Sequence, residues 1–300
     1  MMKKVLFLCL GAMGLSFLSL QRVSAQERIM ASKHHITRAI EVGSFDHIQL
    51  NGSSEIIFTP TTGHQHLNLT LPDNLQDVVH VYVKNRTLVL QMKSNTSVTL
   101  KNGCKVELQV SAPMVKSVTL NGSGNISFSS HAESRNPLNL TLNGSGDIDV
   151  RNIKATSLTA TVNGSGDIHL GQITSRQVQA TVNGSGDLTA AGVKAERTMA
   201  TVNGSGDLEC YSITAQSVDG AVRGSGDLQL GGSCETANYV LAGSGDISAA
   251  GLKAKQVIAR THGTGDIHCH ASESIVMTQK RHENSIIYTG NPKHVERNEL

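Results

Sequence analysis

One five-residue stretch, Gly-Ser-Gly-Asp followed by Ile or Leu, returns through more than half of this 300-residue chain. It begins at Gly144, Gly164, Gly184, Gly204, Gly224 and Gly243, with a Thr-substituted copy at Gly263 and an Asn-for-Asp copy at Gly122. The spacing is 20 residues four times running, then 19, then 20, with 22 between the first two copies. A fixed period of this length calls for supersecondary units stacked on one another, because one such unit cannot bury its own apolar face.

Numbering each repeat from the first Gly of its corner, the columns separate by polarity. Position −2 reads Leu120, Leu142, Val162, Val182, Val202, Val222, Leu241, Thr261, and position +4 is Ile or Leu in every copy. Position +6 reads Phe128, Val150, Leu170, Ala190, Cys210, Leu230, Ala249, Cys269, while +5 between them is polar throughout. Period-two alternation on both sides of the corner means strand, one face in and one out. A third apolar position at +9 (Ile153, Ile173, Val193, Ile213, Leu252) makes three short strands per rung. Identical columns 20 residues apart require parallel, in-register stacking.

The fold class is therefore all-β, a parallel β-helix over residues 119–290, expected right-handed as parallel crossovers are. No helical period interrupts it. Before it, residues 43–118 read as a β-rich N-terminal cap, with hairpin signals at Lys84-Asn85-Arg86-Thr87 and at Lys101-Asn102-Gly103, and a worn corner at Asn51-Gly52-Ser53-Ser54. Residues 26–42 read as a loosely structured linker and 291–300 as a polar tail.

The corner glycines (Gly144, Gly146, Gly164, Gly166, Gly184, Gly186, Gly204 and Gly206) are assigned a structural role, the simplest being positive φ at one or both. Asn at −1 suits a turn entry and a ladder between rungs. The Asp column, Asp147, Asp167, Asp187, Asp207, Asp227, Asp246 and Asp266, is expected to fold back onto the glycine N–H groups of its own turn. Like charges at the rung spacing of about 4.8 Å repel by roughly 1 kcal/mol per pair in water. The column is thus solvated and capped, or it binds cations. Calcium wants six to eight oxygens, and one carboxylate per rung supplies few, so capping is the favoured reading.

The chain opens with Lys3 and Lys4, an apolar run from Val5 to Leu20 and then Val23-Ser24-Ala25, the pattern of a secretory signal peptide over residues 1–25. Leu6-Phe7-Leu8-Cys9 has a faint likeness to a lipoprotein box, but Cys9 leaves almost no apolar run before it. Without the leader's three basic residues the formal charge falls from +2 to −1, which lacks the electrostatic footprint of a nucleic-acid binder.

Other candidate sites are weaker. Cys210 and Cys269 share an inward column three rungs apart, about 14 Å, too far to bridge; both read as small buried hydrophobes. Cys234 has another phase, and Cys104 has no assignable partner. His268 and His270, near His262 and His282, form a pair able to hold a transition metal, yet spacing fixes no third ligand. His64 and His66 offer less. The Asn-Gly-Ser corners are formal glycosylation acceptors, but glycans one rung apart collide. A polysaccharide-acting enzyme needs acid and base groups converging on one face, and outward columns lack them beyond the corner row. The chain has no Trp, and past the leader only seven aromatics: Phe45, Phe58, Phe128, Tyr82, Tyr211, Tyr239 and Tyr288.

With these residues in place, the chain resembles the auto-transporter adhesin head GIN domain family. The resemblance is carried by Val106-Glu107-Leu108 through Ala112-Pro113, Val118 to Gly124, the GSGD rungs and the closing Ile287-Tyr288-Thr289-Gly290-Asn291-Pro292, over roughly 43–292. It implies an exported, β-helical, adhesin-like domain, and supplies no catalytic residue and no ligand. An auto-transporter also needs a membrane barrel, for which 300 residues leave no room, so a passenger-like module is expected.

The functional expectation is a non-enzymatic, exported cell-envelope protein in the periplasm, on the outer-membrane surface or outside the cell. It needs no cofactor and has no catalytic or resident metal site. Its partner is an envelope or host-surface polysaccharide or protein, not nucleic acid. The alternatives are a polysaccharide-acting β-helix enzyme and a purely structural periplasmic protein.

Overall fold

In the computed structural model, residues 27–100, 103–280 and 285–300 are described; the leader at 1–25 and His282 lie outside them. Each rung is a three-sided coil. In the rung that follows Gly144, the strand Asp147–Lys154 bends after Val150 to give two sides, and Ser157–Val162 gives the third. Ile148 and Val150 on the first side, Ile153 and Ala155 on the second, and Leu158, Ala160 and Val162 on the third all point inward and are buried. In later rungs all three sides run as one continuous strand, such as Leu208–Val222 and Ile247–Thr261.

The rungs stack in parallel and in register. Leu158 pairs with Val178, Val178 with Thr198, Thr198 with Val218, and the column continues through Ala237 and Val257 to Ile275. The apolar columns thus merge into one unbroken core along the axis. Such a core is dominated by nearest-neighbour contacts, so stability accrues rung by rung.

Stacking does not begin at residue 118. His47–Asn51 and Glu55–Pro60 form an earlier rung beneath Ser117–Asn121 and Asn125–Phe128, with Asn51 under Asn121 and Phe58 under Phe128. The two Phe rings meet edge to face, 5.1 Å between centroids. Thr87–Met92 and Glu107–Ala112 add one more parallel layer below. Antiparallel strands then finish this end: Val79–Lys84 against Thr87–Met92, and His66–Pro72 against Glu107–Ala112. The turn at Asn85 and Arg86, both with positive φ, is the expected hairpin.

Three segments differ from expectation. Residues 26–42 carry two strands: Glu27–Met30 pairs in parallel with Thr96–Thr99, and His35–Ala39 pairs antiparallel with His66–Pro72. Lys101 and Asn102 of the second expected hairpin lie outside the described residues, and its flanking strands pair elsewhere, Thr96–Thr99 in that small two-stranded sheet and Glu107–Ala112 in the main one. The polar tail includes the strand His294–Glu299, paired in parallel with Ile267–Gln279. In the segments the sequence left unstructured, backbone pairing is satisfied by a neighbour while side chains stay largely in water. Hydrophobic period alone is blind to that.

Candidate functional site

The corner column is held by contacts between rungs, not by left-handed backbone. Among the corner glycines only Gly52 and Gly122 have positive φ, at 124° and 145°. From Gly144 onward the reason for glycine is space. A Cβ on Gly144 would lie 2.0 Å from the Gly122 carbonyl oxygen, and one on Gly146 would lie 1.7 Å from that of Gly124. The close approach makes the hydrogen bonds: Ser145 and Gly146 N–H both donate to the Gly122 carbonyl, at 2.9 and 3.1 Å. The same fork recurs through Ser244 and Gly245 on the Gly224 carbonyl, while at the last corner Thr264 N–H donates to the Gly243 carbonyl.

Because the previous rung satisfies those amides, the aspartates do not cap their own turn. The backbone N–H of Asp187 donates to Oδ1 of Asp167 at 2.8 Å, and Asp207, Asp227, Asp246 and Asp266 each repeat this to the Asp below. Asp167 N–H reaches Asp147 Oδ1 at 3.3 Å, and at the head of the row Asn125 Oδ1 accepts from Asp147 N–H at 3.2 Å. Beside this relay, Asn143, Asn163, Asn183 and Asn203 each donate from Nδ2 to Oδ1 of the Asn below at 2.8 Å. Asn121 extends that ladder to Asn51, also at 2.8 Å.

The remaining sequence candidates stay apart. Cys210, Cys234 and Cys269 are buried free thiols, and burial pushes Cys210 and Cys269 up to about 12 and Cys234 to about 11. Cys104 is half-buried, its thiol donating to the Ser32 carbonyl at 3.3 Å. His270 hydrogen-bonds the Thr289 hydroxyl at 3.1 Å. Among the described residues no three His, Cys, Asp or Glu side chains converge on a metal position. His64 and His66 are exposed side chains near the N-terminal end.

The outward face of the first side, which carries the +5 and +7 positions, holds two grooves. One, of about 650 Å³, lies by Phe128, Asp149, Arg151, His169 and Gly171. The other, of about 560 Å³, lies between Tyr211 and His268 over Gly231 and Gly251. The second coincides with the single 19-residue rung. Between Cys210 and Ile213 stand two residues, Tyr211 and Ser212, but between their partners Leu230 and Gly232 stands only Gly231. The next rung again has one residue more at this bend. The missing residue draws the backbone in, Gly232 takes φ 119° to close the bend, and a recess opens beside Tyr211. Tyr211 sits at an outward position that no repeat column singles out. The signal was there, in the 19-residue spacing together with the Gly231-Gly232 pair.

A parallel β-solenoid with an exposed, repeat-built face is the class this geometry defines. The profile of the family described as "Putative auto-transporter adhesin, head GIN domain" matches residues 44–229 and 202–292. The chain belongs to that family. Among solved structures it is similar to a putative adhesin from Parabacteroides merdae, at 15% identity and TM-score 0.51, covering 90% of this chain and 99% of that one. A putative adhesin from Parabacteroides distasonis aligns at 16% identity and TM-score 0.50, covering 90% and 100%. A putative lipid binding protein from the same species aligns at 19% and TM-score 0.46, covering 91% and 98%. At these identities the two putative adhesins speak for the fold alone. No curated protein matches the chain. Among the described residues no helix is long and apolar enough to cross a membrane.

Proposed function

We propose that this chain is a non-enzymatic, adhesin-like module of the cell envelope that holds a surface polysaccharide or protein on its solenoid face. The observation that carries the reading is the register itself. Equivalent outward positions recur at every rung, about 4.8 Å apart, on a backbone locked by the Asp relay and the Asn ladder. A rigid row of this kind suits a ligand that is itself a repeating polymer, since little ordering entropy is lost on the protein side. Membership of an adhesin family supports the same reading, as does the leader-like sequence of residues 1–25.

The test is to express the full chain, follow it by cell fractionation, and screen the purified protein against envelope and host-surface polysaccharides for both binding and turnover. Recovery from the envelope or medium with saturable binding and no product supports the proposal. Retention in the cytoplasm, or product formation abolished by a single substitution outside the corner row, overturns it.

A further inference from the structure

We propose that the recess beside Tyr211 is a sugar-binding subsite, which takes one neutral pyranose unit of a polysaccharide against the Tyr211 ring. The proposal rests on the surface-binding reading above and gives it a place and a ligand class.

Tyr211 is 52% exposed, whereas Phe58, Phe128 and Tyr239 are buried and Tyr288 of the closing strand is half-buried against the core. Its ring is not free to wander, because the hydroxyl donates to the Glu209 carboxylate two residues back on the same face. One flank of the ring faces the recess made by the short rung, whose floor is backbone: Gly231, and beyond it Gly251. An exposed aromatic tethered beside a floor of glycine backbone and the small Ala250 side chain presents a π-face to a partner with axial C–H groups, and a pyranose ring has them.

The edge of the recess supplies the complementary polar groups. Gln229, Ser248 and His268 are register partners on three successive rungs, all in the outward row. An amide, a hydroxyl and an imidazole each donate and accept, which suits sugar hydroxyls that do both. Their spacing of about 4.8 Å is comparable with one sugar unit. The recess lining itself holds no Asp, Glu, Lys or Arg, and the nearest carboxylate, Glu209, the register partner of Gln229, is engaged by the Tyr211 hydroxyl, which favours a neutral sugar over an acidic one. An aromatic peptide side chain would leave those three polar groups unmatched.

The test uses the purified full chain labelled at tyrosine ring carbons and titrated, with NMR detection, with hexamers of β-1,4-glucan, α-1,4-glucan, mannan and N-acetylglucosamine. At least one hexamer is expected to shift the Tyr211 resonance saturably while leaving buried Tyr239 in place. Tyr211→Ala is expected to weaken that hexamer about tenfold, and Tyr211→Phe, which keeps the ring but loses its tether to Glu209, to weaken it by less, about threefold. A Cβ on Gly251 meets nothing nearer than 3.6 Å, so Gly251→Gln fills the recess without disturbing the rungs and is expected to weaken binding as Tyr211→Ala does. Unchanged melting temperatures in these variants exclude unfolding as the cause. Polymer bound equally by wild type, Tyr211→Ala and Gly251→Gln overturns the subsite and leaves the surface-binding reading standing. A Tyr211 shift with a tyrosine-containing peptide but with none of the four hexamers also overturns it. No binding of any surface polymer overturns both.

Discussion

Gly220 lies directly against Tyr239 of the next rung, the two being register partners in one inward column. Between Leu140 and Met277, that column is otherwise Ala160, Ala180, Ala200 and Ala259. The single large ring is accommodated because the position beneath it has no side chain. A Cβ on Gly220 would lie 3.1 Å from Tyr239 Cδ1 and 2.9 Å from Leu228 Cδ2. Gly220→Ala is therefore expected to overpack the core and lower stability by about 1–3 kcal/mol, read from denaturant midpoints.

Tyr239 also buries a hydroxyl that has no hydrogen-bond partner among the described residues. An unmet buried hydroxyl costs about 1–3 kcal/mol, and Tyr239→Phe removes it while the ring keeps its packing. The variant is expected to melt higher than the wild type. A lower melting temperature would mean that a bound water or a shifted side chain meets the hydroxyl in solution.

Corner glycines should be far less tolerant than their turn-like sequence suggests. A Cβ on Gly186 would lie 2.0 Å from the Gly166 carbonyl oxygen, and that atom belongs to backbone pinned on both sides. Gly186→Ala is expected to cost about 2–4 kcal/mol and to loosen the adjoining rungs first, visible as faster amide exchange between residues 163 and 207. Gly251→Ala, whose Cβ makes only ordinary contacts at 3.6 Å, is the matched control and should be near neutral.

The rung period, the inward columns and the Asn ladder were legible because stacking repeats them at a fixed spacing, and Val162, Val182 and Val202 need only be read in a column. What the sequence concealed was whatever depends on the neighbour above or below. Asp187 N–H finds its acceptor on Asp167, 20 residues away in sequence, while local chemistry pointed to its own turn. Gly146 is fixed by the Gly124 carbonyl, a contact that exists only after stacking, so positive φ was the wrong physical reason for the right residue. His35–Ala39 was missed because a strand paired through its backbone with half-exposed side chains carries no period. Tyr211 was missed because one deleted residue matters only where two longer rungs flank it.

The buried thiols give a signed pH dependence. Burial holds Cys210 and Cys269 at about 12 and Cys234 at about 11, above the usual thiol range of roughly 8.5–9. Between those limits the unfolded chain has lost protons that the folded chain keeps. The stabilisation is full below about pH 8.5 and is lost as pH rises through 11 to 12. Urea midpoints are expected to fall across that window, less steeply in a Cys210→Ala/Cys269→Ala variant. In the native protein at pH 8, an aromatic disulfide reagent should modify half-buried Cys104 well before the other three.

The Asp column separates two roles that one substitution can tell apart. Each Oδ1 accepts the next rung's amide, while each charge repels its neighbours about 4.8 Å away. Asp207→Asn keeps an oxygen acceptor for Asp227 N–H and removes the repulsion, as Asn125 already does at the head of the row. It is expected to equal or exceed wild-type stability at low salt, with the difference shrinking at 1 M salt, where screening acts within about 3 Å. Asp207→Ala also removes the repulsion but strands the amide, and is expected to lose about 1 kcal/mol relative to Asn. If the column is a capping relay, calcium and chelator leave the wild-type melting temperature unchanged. A calcium-dependent rise in the wild type that Asp207→Asn abolishes would make the carboxylates ligands, because an amide oxygen replaces the acceptor but not the charge that holds a divalent ion.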